Sequence, residues 1–227
     1  MQLQEVYPAI EKIGSLSMTT LDEEGAMHSR IISICGSDEE GIYFLTMNVK
    51  PFYRQLKNNP GISLCGIYPS GSKTGKNAVG QPYWEPGYTF RLTGEAREIP
   101  EAQVKEKADA GSSLHQYFLE DAARYPATRF FCIIKGKGEI FDYDFEMENR
   151  DHKVLRTRFA FGSMTYNDAG ARIRADDCIA CGECFEACTF KAIVPGEPYA
   201  VDGSKCDECG SCIEACPQEA ILLPNLL

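Results

Sequence analysis

Apolar and polar positions alternate along much of the first 165 residues, and only short stretches break into helical spacing. The opening segment VYPAIEKIGS sets Val6, Ile10 and Ile13 at helical spacing and predicts a short first helix. Strand-like segments follow in MTTLDEEGAMHSRIISIC, DEEGIYFLTMN and ISLCGIYP, with the acidic, glycine-containing stretches Asp22–Gly25 and Asp38–Gly41 as hairpin turns. Pro51 suits the first turn of a helix over KPFYRQLKNNPG, and Pro60-Gly61 ends it. From Pro69 to Pro86 the chain is rich in Gly, Ser, Lys and Asn and reads as a long loop. YTFRLTGEAREI is a further strand. The stretch from Pro100 to Tyr125 is helix, broken near Gly111, FFCIIKGKGEIFDYD is a hairpin, and KVLRTRFAF is a last strand. The expectation is a mostly β domain with a few flanking helices over residues 1–165, a linker over 166–175 and a small α+β domain over 176–227.

The small domain is announced by cysteine. Eight of the eleven cysteines fall in two copies of C-x2-C-x2-C-x3-C: Cys178, Cys181, Cys184, Cys188, and Cys206, Cys209, Cys212, Cys216. That spacing supplies thiolates to a pair of iron–sulfur clusters, which pass electrons one at a time. Residues 178–193 and 206–221 align at an offset of 28 with nine of sixteen positions identical, so the domain is an internal duplication with a pseudo-twofold. One copy holds too little apolar surface to fold alone, and metal–thiolate bonds replace much of the missing core. Structural zinc sites use two C-x2-C pairs with a longer gap, or histidine, and do not suit two runs of four cysteines. Cys35, Cys65 and Cys132 lie in apolar strand-like segments and are expected in the core.

Charge and composition narrow the setting. The net charge of −10 argues against a nucleic-acid partner. Residues 171–227 carry ten acidic against four basic side chains, which serves solubility or a docking surface for a basic redox partner. MQLQEVYPAIEK has no basic stretch followed by an apolar run, and no apolar run approaches the roughly 20 residues that span a bilayer. The expectation is a cytoplasmic protein, where clustered cysteines bind metal rather than form disulfides. His28, His115 and His152 are scattered and form no hydrolytic constellation, and GSKTGKNAVG does not match a phosphate loop.

The cysteine runs resemble bacterial two-cluster ferredoxins, in which the fourth cysteine of each run binds the other cluster. The resemblance implies one [4Fe–4S] cluster on Cys178, Cys181, Cys184 and Cys216, and a second on Cys206, Cys209, Cys212 and Cys188. Thr189 stands where the family places proline, which removes no ligand. The first 150 or so residues resemble the FMN-binding split barrel shared by pyridoxamine 5′-phosphate oxidase and related flavoproteins. HSRIIS (28–33), YFLTMNVKPFYRQLKNNP (43–60), FRLTGEARE (90–98) and KGEIFDYD (137–144) carry it. That family implies a homodimer with FMN, or a relative such as F420, at the subunit interface. By resemblance Arg30, Thr46 and Lys50 contact the ribityl phosphate, and backbone near Ile31 and Ile32 lines the ring. The residues agree: Arg30 is a cation amid apolar neighbours, which needs a partner, and Lys50 precedes a helix start, where free N–H groups suit an anion. Pro51 and Phe52 stand where the family often has a second basic residue. His28 shares a strand with Arg30 and could face the flavin, while Tyr83, Trp84 and Tyr88 form either a clasp on the barrel or a lid.

The fusion implies a two-electron to one-electron converter: a low-potential donor, two clusters, FMN and a small organic substrate, in either direction. Exposed clusters are damaged by oxygen, which disfavours an oxidase. A pure electron carrier serving protein partners and a redox sensor are the other readings, and fold alone does not choose among them.

Overall fold

The computed structural model describes residues 3–69, 73–76, 82–84, 87–142, 156–165, 170–203 and 205–223. The chain divides into two compact units, Met1–Pro69 with Thr89–Ile140 and Arg158–Thr165, and Ser70–Tyr88 with Phe141–Thr157 and Tyr166–Leu227. Among the described residues no helix is long and apolar enough to cross a membrane.

The first unit opens with α1 (Leu3–Ile13), whose Leu3, Val6 and Ile10 are buried on one face. Then come β1 (Ser15–Leu21), β2 (Met27–Ser33), β3 (Gly36–Asp38), β4 (Gly41–Met47), α2 (Pro51–Asn58) and β5 (Gly61–Tyr68). After a hairpin of β6 (Lys73–Lys76) and β7 (Pro82–Trp84), which the other unit contains, follow β8 (Tyr88–Ile99), α3 (Glu101–Asp109), α4 (Ser113–Arg124), β9 (Thr128–Asp142) and β10 (Arg156–Phe161). The strand order is β2-β1-β5-β8-β9-β4-β3, with β10 on β9. The β1–β2, β1–β5, β3–β4 and β4–β9 pairs are antiparallel.

Period-two alternation sorts the side chains into two cores. Ile42 and Phe44 of β4, with Phe131 and Ile133 of β9, join α1, α2 and the inner residues of β1, β5, β8 and β10 in one central core. The intervening Tyr43, Phe130 and Cys132 point to the other face and meet Val104 of α3 and Phe118 of α4. Gly111 (φ +98) separates α3 from α4, and Ser112 caps α4 by accepting the His115 N–H.

Four expectations need correction. The predicted hairpin over FFCIIKGKGEIFDYD is one strand, β9. Its glycines are close-approach residues rather than turn residues: a Cβ on Gly138 would lie 2.4 Å from the Arg91 carbonyl oxygen of β8. The long loop contains the paired strands β6 and β7; the rest of 69–86, with the side chains of Tyr83 and Trp84, lies mostly outside the described residues, as does His152. Cys65 is exposed, because β5 alternates and puts it on the outer face, whereas Cys132 is buried and Cys35 half-buried. The expected linker over 166–175 overlaps a strand of the second unit.

In the second unit β11 (Arg172–Ile173) pairs with β14 (Ile221–Leu222), and β12 (Ile193–Val194) with β13 (Ala200–Val201). Residues 171–174 therefore belong to the small domain's own sheet, and Ala171 lies in its core. Two short helices, α5 (Glu183–Glu186) and α6 (Ser211–Ala215), complete it. The pairs Arg172↔Leu222 and Ala200↔Val194 are related by the same offset of 28, so the duplication extends upstream of the cysteines. Left-handed backbone repeats it as well, at Ala180 and Glu208, Gly182 and Gly210, and Lys191 and Glu219. Outside glycine that conformation costs about 1–2 kcal/mol per residue, and it persists where surrounding structure imposes it.

Candidate functional site

The first unit holds a cavity of about 560 Å³ between β2, the end of β4 and the start of α2. Arg30, Ile31, Ile32, Thr46 and Lys50, all expected from sequence, line it together with His28, Ser33, Leu45, Pro51, Phe52 and Gln55. The β2 alternation brings His28, Arg30 and Ile32 to one side, and the antiparallel β1–β2 register sets Arg30 beside Met18 and His28 beside Thr20. Lys50 is the cap residue of α2 in extended conformation, with Pro51 in the first turn and no side-chain cap. Pro51 has no N–H and the Tyr53 N–H is donated to the Lys50 carbonyl at 3.1 Å, so the Phe52 N–H is the first donor of that helix left for an acceptor.

Arg30 is held but not neutralised. Its guanidinium donates to the Thr20 hydroxyl at 2.5 Å and to Gln55 Oε1 at 2.8 Å, and it lies 4.4 Å from the Phe52 ring centroid. Thr20 in turn donates to Gln55 Oε1 at 2.8 Å, so three groups fix one another. Among the described residues no carboxylate pairs with Arg30. Burial disfavours its charge and lowers its pKa. A rigid, partly desolvated cation at the mouth of a helix N-terminus is a receptor for a dianion such as a phosphate monoester. His28 Nε2 meets Asp22 Oδ2 at 2.7 Å, and that bond lowers the Asp22 pKa, with further help from the Ala26 N–H.

Thr20 and Gln55 were missed by sequence reasoning. Gln55 had a usable signal: it lies between Phe52 and Leu56 on the buried face of α2, where an amide needs a partner.

The second unit holds two small cavities. Cys178, Cys181, Cys184 and Cys216 line one, with Ile179, Tyr199 and Ile221. Cys206, Cys209, Cys212 and Cys188 line the other, with Phe190, Ile193 and Leu223. These are the two crossed sets that the ferredoxin resemblance implies. The surroundings fit thiolate-bound iron: apolar side chains close the cavities, and backbone N–H groups point at sulfur. Ala192 N reaches Cys188 Sγ at 3.3 Å and Ala220 N reaches Cys216 Sγ at 3.4 Å, again one offset of 28 apart. Burial pushes the Cys212 thiol up to about 11 and raises Cys184. As free thiols these cysteines stay protonated at neutral pH, so binding of iron displaces protons.

Comparison with known proteins agrees with this division. The family model described as pyridoxamine 5′-phosphate oxidase matches residues 3–136, and the 4Fe-4S dicluster domain matches 170–217. None of the curated proteins matches the chain. Among solved structures, a NimC/NimA family protein from Clostridium acetobutylicum is 18% identical over 70% of this chain and 92% of its own, with a TM-score of 0.47. The heme storage protein HutZ from Vibrio cholerae is 14% identical over 59% and 90%, with a TM-score of 0.39. A pyridoxamine 5′-phosphate oxidase-related, FMN binding protein from Nostoc punctiforme is 13% identical over 67% and 82%, with a TM-score of 0.43. The chain belongs to the pyridoxamine 5′-phosphate oxidase family, with a split-barrel domain followed by a 4Fe-4S dicluster domain of ferredoxin type.

Proposed function

We propose that this protein is a flavin–iron–sulfur oxidoreductase that couples one-electron transfer through two [4Fe–4S] clusters to two-electron chemistry on a small organic substrate. The observation that carries the reading is Arg30: a cation without a carboxylate among the described residues, in a cavity of about 560 Å³ that also contains Lys50 and the α2 N-terminus. FMN supplies the two-electron chemistry when bound, with its phosphate at Arg30 and Lys50. Thr20 and Gln55 keep the guanidinium aimed, Phe52 supports its plane, and Thr46 offers a hydroxyl to the cofactor's polar chain. Each set of four cysteines, Cys178/181/184/216 and Cys206/209/212/188, holds one cluster.

The reading includes a homodimer. Ile31 lines the cavity yet is 69% exposed, and Met27 and Ile67 are 78% and 59% exposed. In the β1 register Ile31 and Cys65 both lie across from Ser17, so the apolar residues share the outer face of β2-β1-β5. A second copy on that face removes apolar surface from water and closes the cavity rim. A reducing, cytoplasmic setting and a low-potential redox protein as electron donor complete it.

The test is an absorption spectrum of anaerobically purified protein, with iron, sulfide and released flavin quantified per chain. About eight iron atoms, as two four-iron clusters require, and about one FMN are expected. Eight iron atoms with a cavity that takes up no flavin would replace this reading with that of an electron carrier. Reoxidation of the reduced protein by candidate compounds then identifies the substrate class.

A further inference from the structure

The duplication of the second unit provides an internal control. The two cysteine sets share spacing, backbone and fold, so wherever equivalent positions differ, the difference acts on one cluster alone. Four such differences surround the sulfurs.

In the second set, Cys209 Sγ lies 3.4 Å from the Ser211 hydroxyl. A cysteine bound to iron has no proton, so the hydroxyl must be the donor. The residue equivalent to Ser211 in the first copy is Glu183, an exposed carboxylate that donates nothing to Cys181. Cys206 Sγ accepts two backbone N–H groups, from Ala171 and Glu208, each at 3.4 Å. Among the described residues Cys178, the equivalent of Cys206, accepts none from another residue, and neither do Cys181 and Cys184. Ala171 itself is equivalent to Tyr199, whose ring lines the first cavity and covers it instead. The first set thus keeps one donor, Ala220 N on Cys216, whereas the second has four.

We propose that Ser211 and the Ala171 N–H make the two cluster sites unequal, so that the site of Cys206, Cys209, Cys212 and Cys188 takes the first electron. The proposal rests on the cluster-binding reading above and deepens it. Reduction adds one negative charge to a cluster and its thiolates. Hydrogen bonds to sulfur stabilise that charge and raise the potential, while a ring that covers the site, as Tyr199 does in the first cavity, lowers it. Asp207 and Glu208 oppose the trend, since they line the second cavity where Ile179 and Ala180 stand in the first copy. They do not reverse it: the donors act on the ligand atoms themselves at 3.3–3.4 Å, whereas partly solvated carboxylates are screened. Glu208 also spends one oxygen on the Gly170 N–H at 3.1 Å. Electrons arriving at the first site then move downhill to the second.

The test uses the full chain with its clusters bound, poised anaerobically with dithionite and followed by electron paramagnetic resonance, each cluster gaining one electron per dithionite-derived radical consumed. Wild type shows two separate one-electron steps. Ser211→Ala lowers only the higher step, by about threefold to tenfold in the reduction equilibrium, tenfold being about 59 mV for one electron. Glu183→Ser, which puts a hydroxyl on the other copy, raises only the lower step. Iron content separates the two possible failures. Protein that never carries about eight iron atoms overturns the cluster-binding reading. Fully loaded protein with one unresolved step, or a Ser211→Ala shift in the lower step, overturns the inequality alone. If Ser211→Ala loads poorly, Glu183→Ser decides: a lower step that stays in place refutes the proposal.

Discussion

Replacing Arg30 by methionine isolates the charge from everything else that side chain does. Methionine keeps an unbranched chain over the Phe52 ring, which lies 4.4 Å from the guanidinium carbon. Thr20 and Gln55 lose their Arg30 contacts but keep their own bond at 2.8 Å, so neither is orphaned in the fold. Because no described carboxylate depends on Arg30, the variant leaves no buried anion unpaired, and burial disfavours the charge it removes. The stability change is therefore small, within about 1 kcal/mol. Binding is another matter. A hydrogen bond to a charged group contributes about 1.5–3 kcal/mol, and about 1.4 kcal/mol is tenfold, so FMN should bind roughly 10- to 150-fold more weakly. Riboflavin, which has the same ring and chain without the phosphate, should bind wild type and variant alike. Flavin fluorescence on release measures both ligands, and thermal unfolding of the flavin-free protein checks the fold. The FMN loss should also shrink as salt rises, because part of it is screened. Equal losses for FMN and riboflavin, or an unchanged FMN affinity, would refute the assignment of Arg30 to the phosphate.

Cys212→Ala should remove one cluster, taking iron from about eight to about four per chain or fewer, while the near-ultraviolet signal of the first unit persists; full iron content would disprove the crossed ligand sets. Of the three cysteines outside the cluster sets, Cys65 should be the first that a thiol reagent labels at pH 8 once the outer face of β2-β1-β5 is uncovered in a monomeric variant, because burial raises Cys132 to about 12 and Cys35 to about 11. Both pKa values lie above the assay pH, so these two stay as unreactive thiols, and their labelling should rise with pH only as it nears those values or as the protein unfolds. Rapid labelling of Cys132 in the folded protein would contradict its burial. Ile31→Asp, on the outer face of β2, should convert a dimer to monomer in sedimentation and weaken flavin retention together; loss of neither would remove that face from the interface.

Sequence made the chemistry of both units more legible than their connections, for a physical reason. Thiolate ligands must recur at fixed spacing to curl around a cluster, and a cation inside an apolar strand needs polar partners, so the eight cysteines and Arg30 stand out in the sequence as candidates. Gln55 did not, because a helical glutamine is ordinarily solvated; it becomes informative only with the observation that Phe52 and Leu56 turn the same way. Gly136 and Gly138 misled in the opposite direction. A glycine that bends the chain and a glycine that admits a neighbouring backbone are the same letter, and only the second kind keeps an ordinary strand conformation, as β9 does here.

The start of the second unit is hidden in the sequence for a related reason. Residues 171–177 and 199–205 share no identical residue at the offset of 28, yet β11 and β13 occupy equivalent places in the duplicated sheet. A two-residue strand is held by backbone hydrogen bonds, which any side chain permits, so identity there is free to drift. Cysteines that ligate a cluster cannot drift in the same way without losing it. Divergence is found at positions beside the cysteines that are not themselves in the two sets: Ser211 against Glu183, Ala171 against Tyr199, Asp207 against Ile179. With a cluster in each set, as proposed, these are the positions through which two copies of one site would hold electrons at different potentials. Under the proposed function, which joins one-electron sites to a two-electron cofactor, such a difference would give electron transfer its direction.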